Sequence, residues 1–539
     1  MVEDMQRAET DMDADVIVVG AGAAGALAAY GLAQRGVKVI VLEAGPRFSR
    51  AETVAKQRQI WEQDNSALYP NTALAPRTSP SREHESHIDN HGPVKFSAHY
   101  LRGVGGTTWH WQAVTPRFVP ADFELKSRYG VGIDWPFGYD VLEPYYNRAE
   151  QELGVAGVGD FGAPRSQPYQ QPPVRASYAD TEIARRLAEF GQDFEARPTA
   201  RNGTQSDERP ACVGHHNCSN ICPIGAQYAA IVHVQKAEAL GVQILEETLA
   251  TRLESDADGH ITGVLWRRAD GTTGRLRSRA YFVAANALET VRLCLASASE
   301  TRPQGIANSS GMVGLRLMDH YNMAARFNLP FPVYPGRGPL TGFATAQWRD
   351  GSFRKDHAAF LLGFENIDMV SEVATQALQM HGADPQAVDA TIRDLAARRV
   401  EMNAIVEQLP DPSNRVWLDH AHKDSSGMPR IQVHYGIDEY AQRGRKAARK
   451  QIEQTAAQLG ASPPEIRETF FAVHAAGTMM MGQDKRQFVT DGFGRCHDHS
   501  NLFIGGAALF PANSTANPTL TIAALALRTE AAIAAQLAQ

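Results

Sequence analysis

Cysteine is scarce in this sequence, with five residues in 539, which excludes a fold held together by disulfides. A surplus of positive charge is also absent, because 53 Lys and Arg stand against 60 Asp and Glu, giving a net charge of −7. That balance gives no electrostatic argument for binding nucleic acid or an anionic membrane surface. With 43% hydrophobic and 21% charged residues, the composition is globular and excludes wholesale disorder. The length predicts three or four domains, or two large ones.

No segment has the features of a membrane-spanning helix or a cleavable signal peptide. Residues 16–33 carry no charge over 18 positions, but they contain four glycines and follow an acidic rather than a basic segment. We therefore interpret them as a buried strand, a turn and a helix. The apolar stretch 520–538 is interrupted by Arg528 and Glu530. No twin-arginine signal is visible at the N-terminus, which taken alone favours a cytoplasmic protein.

The first sixty residues contain a complete dinucleotide-binding unit. Residues 16–19 (VIVV) predict a buried parallel strand, and 20–25 (GAGAAG) form a glycine-rich turn. The composition of 26–35 predicts a helix, and 37–42 (VKVIVL) predict a second strand that ends at Glu43. Because the strand, helix and acidic residue surround the glycine motif in the required order, the sequence predicts dinucleotide binding.

Each conserved position of such a unit has a physical task. Gly20 would make the tight turn, Gly22 would let the backbone approach a pyrophosphate, and Gly25 would let helix and strand pack closely. The helix N-terminus offers N–H donors to the phosphates, and Glu43 is placed to accept hydrogen bonds from a ribose. These mechanics do not separate FAD from NAD. The N-terminal position and the continuation 43–45 (EAG) favour FAD.

Five further segments carry a family resemblance. They are 102–111 (RGVGGTTWHW), 134–146 (DWPFGYDVLEPYY), 474–482 (HAAGTMMMG), 501–506 (NLFIGG) and 513–521 (NSTANPTLT). In this order and spacing the sequence resembles the glucose-methanol-choline (GMC) oxidoreductases, a family of flavoproteins. The resemblance covers nearly the whole chain and is weakest between about residues 325 and 465.

The resemblance implies a mixed α/β fold. A Rossmann-like FAD-binding domain would be interwoven with a substrate domain built on an antiparallel sheet backed by helices. The FAD-binding domain would comprise 13–150, 225–320 and 470–539, the substrate domain 151–204 and 321–469, and a cysteine segment 205–224. Strand-like residues 276–285 and 502–506, each followed by a helical stretch, agree with α/β layers.

The resemblance also implies a catalytic pair. Alcohol oxidation by a flavin needs a base for the hydroxyl proton, and histidine suits that task near neutral pH. The family motif H-x-x-G-T matches His474, Gly477 and Thr478, which makes His474 the predicted base. The family's second residue matches Asn517, which would orient the substrate hydroxyl. Alternatively, His474 makes an ordinary structural hydrogen bond and Asn517, before a proline, marks a turn.

The predicted cofactor is FAD, and the residues expected to bind it come from five separated segments. They are Gly20, Gly22, Ala24, Gly25, Glu43, Ala44, Arg102, Gly105, Gly106, Thr107, Thr108, Gly506, Ala507, Asn517, Pro518 and Thr519. A helix beginning near Pro518 and Thr519 would direct its N-terminus at the flavin and stabilise negative charge there. The neighbouring Trp109, His110 and Trp111 shape a sugar pocket or simply pack.

Three of the five cysteines lie within eleven residues, at Cys212, Cys218 and Cys222. A disulfide would use two of them and leave one over. A zinc site would take a fourth ligand from His215 or His216. An iron–sulfur site is the third interpretation, because C-x3-C-P matches the end of a ferredoxin motif whose other spacings are absent here. The motif alone favours neither iron–sulfur nor zinc.

The family context favours a cluster. The sequence is most similar to the glucose dehydrogenase group of GMC proteins, in which such a triplet holds a three-iron cluster, so the resemblance implies a [3Fe-4S] cluster. That cluster would pass electrons singly from the reduced flavin to a haem partner. The isolated Cys294 and Cys496 are expected to be core residues.

The implied function is an FAD-dependent sugar dehydrogenase that oxidises the anomeric hydroxyl of D-glucose to the lactone. Electrons would leave through the cysteine segment to a cytochrome-type acceptor. A gluconate, sorbitol or other polyol dehydrogenase is the alternative within the family, and an oxygen-reducing oxidase leaves the cysteine triplet unexplained. A flavin-bearing structural subunit with a zinc site is the non-enzymatic alternative.

Partners and location are implied by analogy alone. The expected partners are a small sugar, a small signal-bearing chaperone-like subunit and a multihaem cytochrome c subunit. No nucleic acid is expected, and membrane contact would come only through the cytochrome. The expected location is the periplasmic side of the bacterial inner membrane, with the cytoplasm as the alternative.

Overall fold

The computed structural model describes residues 12–59, 68–78, 86–206, 208–469 and 472–539. The strands in these ranges are β1 Ala14–Val19, β2 Val39–Leu42, β3 Ile88–Asn90, β4 Glu195–Ala196, β5 Gln243–Leu245, β6 Thr248–Ser255, β7 Ile261–Arg268, β8 Thr273–Leu276, β9 Ser278–Val283, β10 Tyr321–Asn328, β11 Thr341–Thr345, β12 Phe360–Glu365, β13 Arg399–Val406, β14 Arg415–Lys423, β15 Pro429–His434, β16 Glu465–Thr469 and β17 Leu502–Ile504. The α-helices are α1 Ala23–Gln34, α2 Arg50–Gln59, α3 Leu125–Tyr129, α4 Tyr139–Leu153, α5 Tyr178–Ala188, α6 Ile231–Ala239, α7 Asn286–Ala296, α8 Val370–His381, α9 Pro385–Ala396, α10 Glu439–Gln458 and α11 Thr519–Leu537.

A five-stranded parallel sheet forms the first core, in the order β17-β9-β1-β2-β5. Its central strand β1 is apolar and almost entirely buried, as a strand covered by helices on both faces requires. The predicted strand, glycine turn, helix and strand are present, although β2 begins two residues later than expected. The reason is that the N–H of Val37 bonds back to Leu32 O at 3.2 Å, which holds Val37 in the turn that ends α1.

A six-stranded sheet in the order β16-β10-β13-β12-β11-β4 forms the second core, and all its pairings are antiparallel. Alternate residues of β10 are buried, and α10 packs on β10, β12 and β13 through a stripe that includes Ala448 and Ile452. The predicted mixed α/β fold, with a Rossmann-like unit and a helix-backed antiparallel sheet, is confirmed.

The predicted domain ranges stay a prediction, and the strands of the sheets lie in them as follows. All strands of the parallel sheet come from ranges assigned to the FAD-binding domain, and all strands of the six-stranded sheet come from ranges assigned to the substrate domain. The hairpin β14–β15 lies in the predicted substrate range 321–469, yet β15 pairs with β3 and its buried residues join the first core. This hairpin therefore packs on the first core, whereas the other described strands of 321–469 belong to the six-stranded sheet.

Among the described residues, α11 is the helix that is long and apolar enough to cross a membrane. It packs against α1 and α4 inside the first core. Its Glu530 is fully buried and pairs with Arg35 at 2.6 Å and Arg148 at 3.3 Å. Arg528 lies 4.1 Å from the ring centroid of Phe493, so both charged residues of this helix have partners within the fold.

Candidate active site

A cleft opens at the carboxyl edge of the parallel sheet, where the loops after β1, β2, β9 and β17 meet. Fourteen predicted residues line it: Gly20, Gly22, Ala24, Glu43, Ala44, Arg102, Gly106, Thr107, Thr108, His474, Gly506, Ala507, Pro518 and Thr519. The remaining predicted cofactor-site residues, Gly25, Gly105 and Asn517, are adjacent in sequence to lining residues and are not themselves part of the lining. The structure therefore brings together segments that are up to 499 residues apart in sequence, from Gly20 to Thr519.

The glycine turn has the geometry that its three tasks require. Gly20 adopts a φ of +103°, and a Cβ there would lie 2.7 Å from Ala284 O. A Cβ on Gly25 would lie 1.9 Å from Gly20 O, so only glycine lets α1 begin this close to β1. A Cβ on Gly22 would meet no protein atom within 4 Å, because this residue faces the cleft.

We expect Gly25→Ala and Gly22→Ala to separate folding from cofactor binding. Gly25→Ala places a methyl group on a backbone oxygen, and overpacking this severe is expected to cost more than about 3 kcal/mol and to lower the melting temperature of the apoprotein. Gly22→Ala should leave the apoprotein's melting temperature unchanged and lower only the FAD bound per chain. Thermal unfolding with and without added FAD measures both effects; equal melting temperatures for the two apoproteins would contradict this account.

Two helix N-termini point into the cleft without a side-chain cap. The N-cap of α1 is Gly22, and that of α11 is Pro518; neither side chain accepts an N–H of its helix. The orphan N–H donors of each first turn are therefore available to an anionic ligand. Pro518 stands at the N-cap of α11, whereas the sequence predicts it at the first helical position, which Thr519 occupies.

Glu43 closes the end of β2 beside this turn. Its two carboxylate oxygens accept the N–H of Ala21 at 2.9 Å and of Gly45 at 3.0 Å. Burial raises the pKa of Glu43, while these two hydrogen bonds and the charge of Arg102 oppose that rise. The side chain is thus fixed on the cleft wall, with lone pairs left to accept from a ribose hydroxyl.

Hydrogen bonds made by its own side chains fix the second glycine-rich loop, 102–111. Thr107 Oγ1 accepts the N–H of Leu101 at 3.0 Å, and Thr108 Oγ1 accepts the N–H of Ala230 at 2.8 Å. The indole N–H of Trp109 donates to Val104 O at 2.8 Å, and its side chain is buried. For Trp109 the structure therefore supports the packing interpretation over a role in a sugar pocket.

Several residues of the cleft were missed by sequence reasoning, among them Tyr100, Thr248, Asn286, Glu289 and Arg292. Glu289, on α7, accepts from Tyr100 Oη at 2.6 Å and lies 3.0 Å from His87 Nε2. Arg102 and Arg292 beside it hold the pKa of this carboxyl well below its usual range although it is buried. A single glutamate on a helix has no sequence pattern that indicates such a hydrogen-bond network. The sequence therefore could not predict the role of Glu289.

The predicted catalytic pair meets at the end of the cleft. The amide Nδ2 of Asn517 donates a hydrogen bond to His474 Nε2 at 3.2 Å. The buried Oδ1 of Asn517 has no hydrogen-bond partner, which leaves an acceptor for a ligand hydroxyl. Burial, and secondarily the nearby His320, holds the pKa of His474 well below its usual range. The ring is therefore neutral at neutral pH, as a proton acceptor must be.

Two residues behind His474 were also missed. His320 Nδ1 lies 2.8 Å from His474 Nδ1, and Asp319 accepts the backbone N–H of His474 at 3.1 Å. Asp319 and His320 are fully buried and come directly before β10. Only the pairing of distant segments shows that the residues before this strand reach the catalytic motif.

The cysteine segment lies behind the second glycine-rich loop. Cys212, Cys218 and Cys222 are all free thiols, and Cys218 is buried. Arg50 donates to Cys222 O at 2.5 Å, and its guanidinium lies 5.2 Å from the ring centroid of Trp109. These contacts connect the cysteine segment to the loop that lines the cleft. Cys294 and Cys496 are buried free thiols, as expected of core residues.

Two family models and a full-length relative match this chain. Residues 410–526 match a family described as GMC oxidoreductase, and 15–114 match one described as FAD dependent oxidoreductase. The large subunit of fructose dehydrogenase from Gluconobacter japonicus is 36% identical over 98% of this chain and 99% of its own. The chain belongs to the GMC oxidoreductase family.

Two further proteins are similar to this chain at lower identity. The 6'''-hydroxyparomomycin C oxidase of Streptomyces lividus is 29% identical over 97% of this chain and 92% of its own. A formate oxidase variant from Aspergillus oryzae RIB40 superposes with a TM-score of 0.65 over 97% of this chain and 98% of its own, at 15% identity. This last similarity shows the fold.

The GMC protein described here is an FAD-dependent oxidoreductase, which confirms the predicted family, enzyme class and flavin cofactor. The residues fit that cofactor: the wall is open at Gly22 and Gly506, and the helix N-termini of α1 and α11 are uncapped. The individual roles assigned to the site residues remain predictions.

Proposed function

We propose that this GMC enzyme is a sugar dehydrogenase that oxidises the anomeric hydroxyl of D-glucose to the lactone. The pairing of His474 with Asn517 at the end of the cleft carries this proposal, because it presents a neutral ring nitrogen beside an unpartnered amide oxygen. The resemblance of the sequence motifs to the glucose dehydrogenase group supports glucose, and the full-length similarity to a fructose dehydrogenase subunit supports a sugar in general.

The chain's own residues would perform the proton chemistry. Asn517 Oδ1 accepts a hydrogen bond from the sugar and orients it, and His474 Nε2 takes the proton of the hydroxyl that is oxidised. When bound, FAD supplies the acceptor for the C1 hydride. The buried His474 keeps its lone pair because protonation is disfavoured there.

D-fructose is the second candidate substrate, favoured by the 36% identity to the fructose dehydrogenase large subunit. The two sugars differ chemically, since the anomeric carbon of fructose carries no hydrogen and cannot give up a hydride. Oxidation of fructose would therefore fall on another hydroxyl. Gluconate and sorbitol are the remaining alternatives within the same reaction class.

An anaerobic titration of the purified chain, followed by its flavin absorbance, tests these substrates. Glucose should bleach the flavin band completely and yield gluconolactone. Bleaching by fructose alone would replace glucose by fructose, and bleaching by none of the four compounds would overturn the proposal of a sugar or polyol dehydrogenase. Rapid oxygen consumption without an added electron acceptor would instead favour an oxidase.

We further propose that Cys212, Cys218 and Cys222 hold a [3Fe-4S] cluster. A tetrahedral zinc site would require thiolates about 3.8 Å apart, whereas thiolates that bind separate irons lie farther apart. Among the described residues, the group with three potential ligand atoms within 4.8 Å is at Asp319, His320 and His474 and not in the cysteine segment. The resemblance to GMC proteins in which a cysteine triplet holds a three-iron cluster supports a cluster over zinc.

The surroundings of the thiols also fit a cluster. The N–H of Gln227 donates to Cys222 Sγ at 3.5 Å, and a backbone N–H of Gly214 donates to Cys212. Such donors stabilise sulfur ligands that carry negative charge. When bound, the cluster would relay electrons singly away from the flavin.

The proposed electron acceptor is a multihaem cytochrome c subunit, which would meet the chain at the cysteine segment. Val213, next to Cys212, is 70% exposed, so this segment reaches the surface. A small chaperone-like subunit that carries an export signal would bring the folded protein to the periplasmic side of the inner membrane. Charge reversals on this face should slow cytochrome reduction and leave activity with a small dye unchanged; equal loss of both would contradict the location of the exit.

The rate of flavin reduction is expected to remain constant from about pH 8 down to about pH 6. An ordinary histidine titrates near pH 6.5, but burial lowers the pKa of His474 well below that value, so the base stays neutral as the pH falls through this range. Stopped-flow reduction at saturating sugar measures the profile. A loss of rate centred near pH 6.5 would show that the base has an ordinary pKa.

A further inference from the structure

A second histidine lies behind His474, and we infer that His320 determines which ring nitrogen of His474 carries the proton. His320 would thereby be a positioning residue that keeps His474 Nε2 without a proton, as accepting a proton from the sugar requires. The inference rests on the proposed role of His474 as the base. It is carried by an unbroken series of hydrogen bonds whose donors and acceptors can be assigned.

The series begins at the loop before α11. His320 Nε2 lies 3.1 Å from Asn513 O and 2.9 Å from Ser514 O. Carbonyl oxygens only accept hydrogen bonds, so Nε2 of His320 must carry a proton. Burial lowers the pKa of His320 to about 4, and the ring is therefore neutral near pH 7. A neutral ring protonated at Nε2 has a bare Nδ1, which can only accept.

The contact between His320 and His474 then determines which nitrogen of His474 carries the proton. His320 Nδ1 and His474 Nδ1 are 2.8 Å apart, with the two rings edge to face at 79°. A hydrogen bond between two nitrogens needs one proton, and His320 has none at this position. His474 Nδ1 must therefore donate, which places the single proton of the neutral His474 ring on Nδ1. Its Nε2, which faces Asn517, is left with a lone pair.

Asp319 fixes the relative positions of the two histidines through their backbone N–H groups. Its Oδ1 accepts the backbone N–H of His320 at 2.7 Å, and its Oδ2 accepts that of His474 at 3.1 Å. The carboxylate therefore ties β10 to the catalytic motif of the distant C-terminal part of the chain. Because backbone atoms make these bonds, a substitution at His320 leaves them in place.

A metal site formed by Asp319, His320 and His474 is the competing interpretation, since their ligand atoms lie within 4.8 Å of one another. The nitrogen-to-nitrogen distance argues against it. Two histidine nitrogens bound to one tetrahedral zinc would lie about 3.3 Å apart, whereas 2.8 Å is the length of a hydrogen bond. If a metal bound there, metal analysis would find it in the unmodified protein and lose it in His320 variants.

Two substitutions of His320, similar in size, test the acceptor role of its Nδ1 and the donor role of its Nε2 one at a time. His320→Asn keeps an oxygen acceptor near the position of Nδ1, whereas His320→Gln keeps a donor near Nε2 and loses that acceptor. His320→Gln is expected to lower the rate of flavin reduction at saturating sugar by about 10- to 1000-fold, because His474 can then adopt the wrong tautomer. His320→Asn should remain within about threefold of the unmodified protein, since the acceptor is retained.

The apparent dissociation constant for sugar, the FAD content and the melting temperature should be similar for both variants. Equal rates in the two variants would overturn the role of His320, whether both are slow or both are normal. A His474→Ala protein with normal flavin reduction would overturn the base assignment itself, which distinguishes the two failures. If neither His320 variant folds, ¹⁵N spectra of the unmodified protein labelled at histidine provide the test, with the His474 signals assigned by comparison with His474→Ala. The His474 ring should show Nδ1 protonated and Nε2 bare. The reverse pattern would also overturn the inference.

Discussion

His474→Ala is expected to bind FAD normally and to reduce it with sugar about 10²- to 10⁴-fold more slowly, the range contributed by a general base. The physical reason is that no other titratable side chain in the described site takes over at Nε2: the partner there is the amide of Asn517, and His320 offers only a nitrogen turned towards His474. Anaerobic stopped-flow reduction at saturating sugar measures the loss.

The matched control for this variant is His422→Ala, because His422 is 73% exposed and pairs with the nearby Asp419. The control should reduce flavin at the unmodified rate. FAD absorbance per chain shows whether either variant has lost its cofactor. Near-normal reduction by His474→Ala with full FAD content would remove this residue from proton transfer.

Cys218→Ser is expected to abolish reduction of the cytochrome while flavin reduction by sugar is preserved. Even the loss of groups that support a ligand lowers metal affinity about 10- to 100-fold, so the loss of a ligand itself should empty the proposed cluster site. Iron content and the electron paramagnetic resonance signal of the oxidised protein should both fall. The flavin should still be reduced because the cleft residues do not include this cysteine.

Cys294→Ala provides the comparison, since it also removes one buried thiol but lies in α7, away from the three clustered cysteines in sequence. It should keep the iron and the cytochrome activity of the unmodified protein. Unchanged cytochrome turnover in Cys218→Ser would remove the cysteine segment from the electron path. Zinc without iron in the purified protein would replace the cluster by a zinc site.

The sequence predicted those parts of the site that depend on local geometry. The positions of Gly20, Gly22 and Gly25 follow from the close approach of one strand, one turn and one helix, all within a few residues of each other. His474 was identified because its motif is contiguous, and the structure places it in the cleft with the glycine turn. The interior location of residues 16–33 followed from glycine content and neighbouring charge, and the structure shows them as β1 and α1.

The domain boundary shows where such local reasoning ends. Nothing in the composition of β14 and β15 distinguishes a hairpin of the substrate domain from one that packs on the first core. Their assignment depends on the pairing of β15 with β3, which lies more than 300 residues earlier in the chain. Burial against a particular neighbour is a property of the assembled fold, so the composition of these strands could not predict it.

By itself, the sequence determined the family, the flavin-binding turn and the histidine at the end of the cleft, because each is encoded in residues that are adjacent in the chain. Only the tertiary structure determined that His320 contacts His474 across 154 positions and that Glu289 joins His87 across 202. Hydrogen bonds of this kind depend on side-chain atoms within about 3 Å, and neither periodicity nor spacing records which distant segments come that close.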